Sequence, residues 1–128
     1  MYKLLPLAFN IINAIKMKIL IIDDEEDYCM LIKDFYSSRN CETQMAHTLK
    51  DGLPLLEIFS PEILFLDNNL PDGSGWTFVD TILNKNPGLR IHLVSAYKPE
   101  TKNISSLDKV KVWEKPISLK NLAEIIQV

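Results

Sequence analysis

Four short apolar runs in this chain each end in a residue that can do chemistry, and that recurrence constrains the fold more than any other feature. Lys18–Ile22 runs into Asp23 and Asp24, and Ile63–Leu66 runs into Asp67. Ile91–Val94 runs into Ser95, and Val110–Trp113 runs to Glu114 and Lys115. Short β-branched runs separated by helical patterns read as parallel strands. In an open α/β sheet, ligand chemistry collects just outside the carboxyl ends of the strands. Three aspartates, a serine and a lysine are therefore expected to converge on one small site.

The 128 residues suffice for one domain. A hydrophobic share of 47% and a charged share of 24% fit a globular protein. The net charge of -3 gives no general attraction for nucleic acid. Cys29 and Cys41 form no C-x-x-C pair and read as two reduced thiols. Residues 1–16 form an apolar extension, interrupted by Pro6, Asn10 and Asn13. It is shorter than the roughly 20 residues a membrane span needs and lacks a signal-peptide cleavage pattern. Leu7, Ile11 and Ile15 are four apart, so a short amphipathic helix docking on the domain or on a second copy is the functional alternative. The domain proper is expected over 17–128.

The element pattern alternates strand and helix five times, which predicts a doubly wound parallel sheet. Strands are expected at about Met17–Asp23, Cys41–Ala46, Glu62–Asp67, Arg90–Ser95 and Lys109–Trp113. The first helix is expected at Glu25–Ser38, with Tyr28, Leu31, Ile32 and Phe35 at helical spacing facing the sheet. The second spans about Leu49–Phe59. Pro54 suits only a first turn, so regular helix is expected to begin later than Leu49. The third spans Trp76–Lys85, after a turn-rich loop from Asn68 to Gly75. Lys98–Lys109 should hold the fourth but is poor in helical pattern. The fifth spans Leu119–Gln127, with Ser118 as N-cap.

Asp23, Asp24 and Asp67 form an acidic cluster that would not stay ionised unaided. A hard divalent cation resolves the conflict, and Mg²⁺ favours one or two carboxylates together with phosphate oxygens. Asp67, alone at the sheet centre, can act as a nucleophile towards phosphorus. Lys115 supplies a point charge and Ser95 a hydroxyl donor for phosphoryl oxygens. Each piece has an ordinary structural reading: an Asp-Asp helix cap, an Asn-Pro-Asp-Gly turn, a solvated lysine before a proline. The ordered conjunction at four strand ends favours the chemical reading. His47 and His92 are scattered and read as strand-end or surface residues rather than ligands.

The segments KILIIDDEEDY, PEILFLDNNLPDGSGW, IHLVSAY and WEKPIS resemble the receiver domain of bacterial two-component response regulators. The resemblance covers Met17 to Val128. It implies a flavodoxin-like five-stranded parallel sheet of order 2-1-3-4-5 flanked by five helices. It implies Asp67 as phosphoacceptor, Asp24 binding Mg²⁺ directly, Asp23 binding it largely through water, and the backbone carbonyl of Asn69 as a further ligand. Ser95 matches the switch hydroxyl, Ala96 the small residue beside it, and Lys115 the family lysine, with Lys115-Pro116 matching a bond usually cis. Tyr97 and Asn69 are placed to flank the phosphoryl group and affect access of water.

The implied partners are a sensor histidine kinase or phosphotransfer protein, and a downstream protein on the face of the fourth helix, fifth strand and fifth helix. Neither nucleic acid nor a membrane span is expected. The implied location is cytoplasmic, in a stand-alone receiver or a piece of a longer regulator or hybrid kinase. Such a domain catalyses only its own phosphorylation and dephosphorylation. The competing readings are a degenerate receiver serving only as an interaction or dimerisation module, and an Asp-nucleophile phosphohydrolase. The last needs an acid two residues after the nucleophile, where this chain has Asn69.

Two departures from the family pattern stand out. Val112 occupies the position, three before the lysine, where the family carries an inward-turning aromatic ring, and Trp113 should point to the other face. The poor helical pattern of the fourth helix suggests that this segment itself carries the switch, by ordering.

Overall fold

The computed structural model describes residues 16–97 and 107–127. Five parallel strands, β1 (Met17–Ile22), β2 (Cys41–Ala46), β3 (Ile63–Asp67), β4 (Arg90–Ser95) and β5 (Val110–Glu114), form one sheet in the order β2-β1-β3-β4-β5. Four α-helices lie among the described residues: α1 (Glu26–Ser37), α2 (Leu49–Ile58), α3 (Val79–Lys85) and α4 (Leu119–Ile125). The helix expected over Lys98–Lys109 falls largely on 98–106, outside the described residues, and Leu107–Lys109 forms a 3₁₀ turn. The suggested ordering of that segment, and the expected helix in the N-terminal extension, also lie outside them.

The apolar runs become strands because both faces of the sheet are covered. Leu20, Ile22, Leu64, Leu66, Ile91 and Leu93 face one core, beneath Leu49, Leu56, Val79 and Ile82 of α2 and α3. Ile19, Ile21, Phe65 and Val94 face the other, with Cys29, Ile32 and Tyr36 of α1 and Leu122 and Ile125 of α4. Each fully buried large side chain contributes about 1.5–3 kcal/mol. The Tyr36 hydroxyl, fully buried, donates to the Leu122 carbonyl at 2.8 Å, which joins α1 to α4 without an unmet polar group.

Three local expectations are corrected. The helix α2 does begin at Leu49, and Pro54 lies inside it. Its first turn is capped from two directions: Thr48 Oγ1 accepts from the Asp51 N–H at 3.1 Å, and the Asp72 carboxylate accepts from Leu49 and Lys50. That capping outweighs the single hydrogen bond that Pro54 removes. The third helix opens as a 3₁₀ turn, Gly75–Phe78, and becomes α-helical only at Val79. The Trp76 indole N–H, donating to the Leu66 carbonyl at 3.1 Å, pins that turn to β3. His92 is neither at a strand end nor on the surface: it is buried in the middle of β4, stacked on Phe65, and its Nδ1 accepts from the Trp113 indole at 2.9 Å.

Elsewhere the element boundaries hold to within two residues at either end. Leu31, expected to face the sheet, is instead exposed, because the buried face of α1 is set by Cys29, Ile32 and Tyr36. Ser118 caps α4, its hydroxyl accepting from the Asn121 N–H at 3.1 Å. The Lys115-Pro116 bond is cis. In β5, Val112 pairs with Leu93 and Trp113 with Val94, so the two lie on opposite faces.

Candidate phosphoryl-transfer site

The site lies where the sheet ends. Asp23 follows β1 directly, and its N–H donates to the Ala46 carbonyl at 3.0 Å, which extends the strand pairing by one residue. Asp67 closes β3 opposite Val94, and Ser95 closes β4 opposite Glu114. Lys115 follows β5, and its N–H donates to the Ser95 carbonyl at 2.8 Å. Register alone therefore sets Asp23, Asp67, Ser95 and Lys115 along one edge.

Asp23 and Asp67 are buried, and Asp24 is exposed. Each offers a carboxylate oxygen, all within 4.8 Å of one another. The Lys115 ammonium lies 2.8 Å from Asp23 Oδ2, 2.8 Å from Glu25 Oε1 and 3.6 Å from Asp67 Oδ2. Its stem runs beside the Tyr28 ring, with Nζ 5.1 Å from the ring centre.

These contacts set the protonation chemistry. Burial, followed by the Asp23 charge, pushes the Asp67 carboxyl up to about 6, against the pull of Lys115 and the Asn69 N–H that donates to it. Burial also raises Asp23, outweighing its hydrogen bonds from Lys115 and the Glu25 N–H. Burial works against the charge on Lys115, but its bonds to Asp23 and Glu25 prevail and hold it above the usual lysine range. One lysine thus faces two buried carboxylates and a third beside them. This surplus of negative hard-oxygen donors suits Mg²⁺, which takes carboxylate oxygens readily.

The structure brings together Asp23, Asp24, Asp67 and Lys115. Ser95 is buried at the adjoining strand end, and its Oγ accepts from the Tyr97 N–H at 3.3 Å. Asn69 is exposed, beginning a small hairpin in which Asn69–Leu70 pairs with Gly73–Ser74. Tyr97 and Ala96 are exposed.

Three participants escaped the sequence reading. Glu25 was absorbed into the first helix, yet it shares the Lys115 ammonium, and the acidic run Asp23–Glu26 was the available signal. His47 donates from Nδ1 to the Asp23 carbonyl at 2.8 Å, where the Cys29 thiol also donates, at 3.3 Å. That thiol is pushed up to about 12 by burial and then by the Asp23 charge, so it stays protonated. Gly75 had been read only as a turn former. A Cβ there would sit 2.2 Å from the Asp67 carbonyl oxygen, so the position admits no side chain.

Known proteins share this fold. The chain is 29% identical over 114 residues to the response regulator protein PilR of Pseudomonas aeruginosa, covering 87% of this chain and 25% of that protein. It is 28% identical over 79 residues to the photosynthetic apparatus regulatory protein RegA of Rhodovulum sulfidophilum, covering 62% of this chain and 43% of that one. It therefore spans less than half the length of either relative. Among solved structures, a CheY-like response regulator receiver domain protein of Methanospirillum hungatei superposes with a TM-score of 0.78 at 25% identity, covering 87% of this chain and 90% of that one. A two-component response regulator of Clostridium difficile superposes with a TM-score of 0.74 at 26% identity, covering 87% and 93%. A family model for the response regulator receiver domain matches residues 19–127, so this chain belongs to that family of signalling domains.

Proposed function

We propose that this domain accepts a phosphoryl group on Asp67 from a phosphohistidine of a sensor kinase or phosphotransfer protein, in the cytoplasm, and that the modified form alters its protein contacts. The observation that carries this reading is the buried Asp67 carboxylate, with two further carboxylates within 4.8 Å and the Lys115 ammonium at 3.6 Å. A carboxylate so placed is a competent nucleophile towards phosphorus. Held by the carboxylates of Asp23, Asp24 and Asp67 and the backbone carbonyl of Asn69, Mg²⁺ would supply positive charge opposite the phosphoryl oxygens.

The chain's own groups do the rest. An Asp67 oxygen forms the new P–O bond as the P–N bond of the donor breaks, and the leaving imidazole takes a proton. Lys115 trades part of its contact with Asp23 and Glu25 for a phosphoryl oxygen, and the Ser95 hydroxyl donates to another. Because the Lys115 N–H is bonded to the Ser95 carbonyl, displacement of either residue is felt by both strand ends. The change passes into the chain after Ser95 and onto the face of β5 and α4, where a downstream protein docks. Hydrolysis of the acyl phosphate by water returns Asp67 to its carboxylate, with Asn69 and Tyr97 limiting access.

The test is Mg²⁺-dependent labelling by a small acyl phosphate, followed by intact mass. Labelling that Asp67→Asn abolishes is the expected result. Absence of labelling, or equal labelling of Asp67→Asn, overturns the reading in favour of an interaction module that is never phosphorylated.

A further inference from the structure

Asp72 lies five residues beyond Asp67, between the two arms of the small hairpin. Its carboxylate reaches the start of α2. Oδ1 accepts from the Leu49 N–H at 2.8 Å and Oδ2 from the Lys50 N–H at 2.9 Å. Those are the first two residues of α2, whose N–H groups have no acceptor within the helix. A carboxylate at the positive end of a helix is also favoured by the aligned peptide dipoles. The two N–H donors hold the Asp72 carboxyl below its ordinary range, so it is a charged clamp at neutral pH. The bridge joins parts of the chain 22 and 23 residues apart.

The path from the clamp back towards Asp67 is short. Leu70 is buried in the core, and Leu70 and Asn69 pair with Gly73 and Ser74. The Gly75 N–H donates to the Asn68 carbonyl at 3.0 Å, and the Ser74 hydroxyl donates to the Asn68 side chain. At the far end of this path stands Asn69, two residues beyond Asp67.

We propose that Asp72 is a positioning residue for Asp67: by clamping the hairpin to the start of α2, it fixes the Asn68–Asn69 backbone that directly follows the acceptor. The inference rests on Asp67 being the phosphoacceptor. It extends that reading to a residue exposed to solvent, five positions beyond the acceptor. If Asn69 turns its carbonyl to a cation, the same clamp sets that ligand too.

Thr48 supplies the control. It caps the same helix at Asp51 from within its own segment, so losing it weakens α2 without releasing the hairpin clamp. In the full chain, Asp72→Ala, Asp72→Asn and Thr48→Val are compared. The readouts are Mg²⁺ affinity, the amide proton shift of Asn69, and the rate constant and half-saturation for labelling by a small acyl phosphate. Asp72→Ala is expected to weaken Mg²⁺ binding about tenfold, the low end for loss of a group that orients a ligand. The rate constant should fall by a similar factor at saturating Mg²⁺, with half-saturation by the donor unchanged and the Asn69 amide proton shifted. Asp72→Asn, keeping one acceptor oxygen, should fall between. Thr48→Val should leave Mg²⁺ affinity and the rate constant unchanged within about twofold.

Equal losses in Asp72→Ala and Thr48→Val reduce Asp72 to a helix cap and overturn the inference. So does a wild-type response in Asp72→Ala when wild type itself is labelled on Asp67, and the function proposed above then stands. A wild-type chain that neither binds Mg²⁺ nor is labelled overturns both.

Discussion

The Lys115 ammonium sits 2.8 Å from Asp23 but 3.6 Å from Asp67, so at rest its stronger partner is the aspartate beside the acceptor. The lysine offsets the buried carboxylates while leaving the acceptor the less tightly engaged of the two. Its replacement tests this division. Lys115→Met leaves two buried carboxylates without their cation, and uncompensated buried charge is strongly destabilising. Metal-free protein at pH 8 should lose about 3 kcal/mol in urea denaturation, the low end for a broken buried pair. Saturating Mg²⁺ should restore most of it, and equal loss with and without Mg²⁺ would argue that the cation does not share this cluster.

Asp67 gives a pH dependence of known sign. Its folded value, about 6, is raised above the ordinary 3.8 by burial and by Asp23. Below pH 3.8 both folded and unfolded chains hold the proton, so the group adds no pH dependence. As pH rises, the unfolded chain ionises first and the fold loses stability, until Asp67 itself ionises near 6. The penalty above pH 6 is about 2–3 kcal/mol. Asp67→Asn should therefore stabilise the metal-free domain at pH 7 and flatten the slope between pH 4 and 6 without abolishing it, because Asp23 is raised as well. A destabilised Asp67→Asn would contradict the argument.

His92 acts in the opposite direction. Burial, then the charges of Arg90 and Lys111, lower it to about 4 from 6.5. Above pH 6.5 it is neutral in both states. As pH falls from 6.5 towards 4, only the unfolded chain gains the proton, and the fold loses about 3 kcal/mol. In an Asp67→Asn background the loss on acidification should be plain, and adding His92→Gln should remove most of it. An acid limb unchanged by His92→Gln would mean that this imidazole titrates near its ordinary value in the fold.

Gly75→Ala would place a Cβ 2.2 Å from the Asp67 carbonyl oxygen and 2.9 Å from a Leu66 methyl carbon. Backbone cannot rotate away as a side chain can, so β3 or the following turn must shift. A stability loss of about 2–3 kcal/mol is expected, with acyl phosphate labelling of Asp67 reduced even under conditions where the domain stays folded. Circular dichroism melts and labelling on one preparation measure both.

Much of this was legible in the residues. The central strands needed only their apolar runs and their flanking turns, because both faces of β1 and β3 are covered. Thr48 and Ser118 were placed where a cap belongs, and Ser118 was read as one. Pro54 misled, because propensity is local while the start of α2 is held by Asp72 from another segment. His92 misled for a related reason. An imidazole inside a strand reads as half-exposed until its acceptor nitrogen finds the Trp113 indole, 21 residues away.

The sequence by itself determined the succession of strands along the chain and the identity of the groups at their carboxyl ends, since periodicity and turn chemistry act over a few residues. Tertiary structure alone decided the pairings among those groups. Glu25 reaches Lys115 across 90 residues, Asp72 caps a helix it does not belong to, and Lys115 stands nearer Asp23 than Asp67. Periodicity says which face a side chain takes. Which distant side chain meets it there depends on register and packing across the assembled sheet.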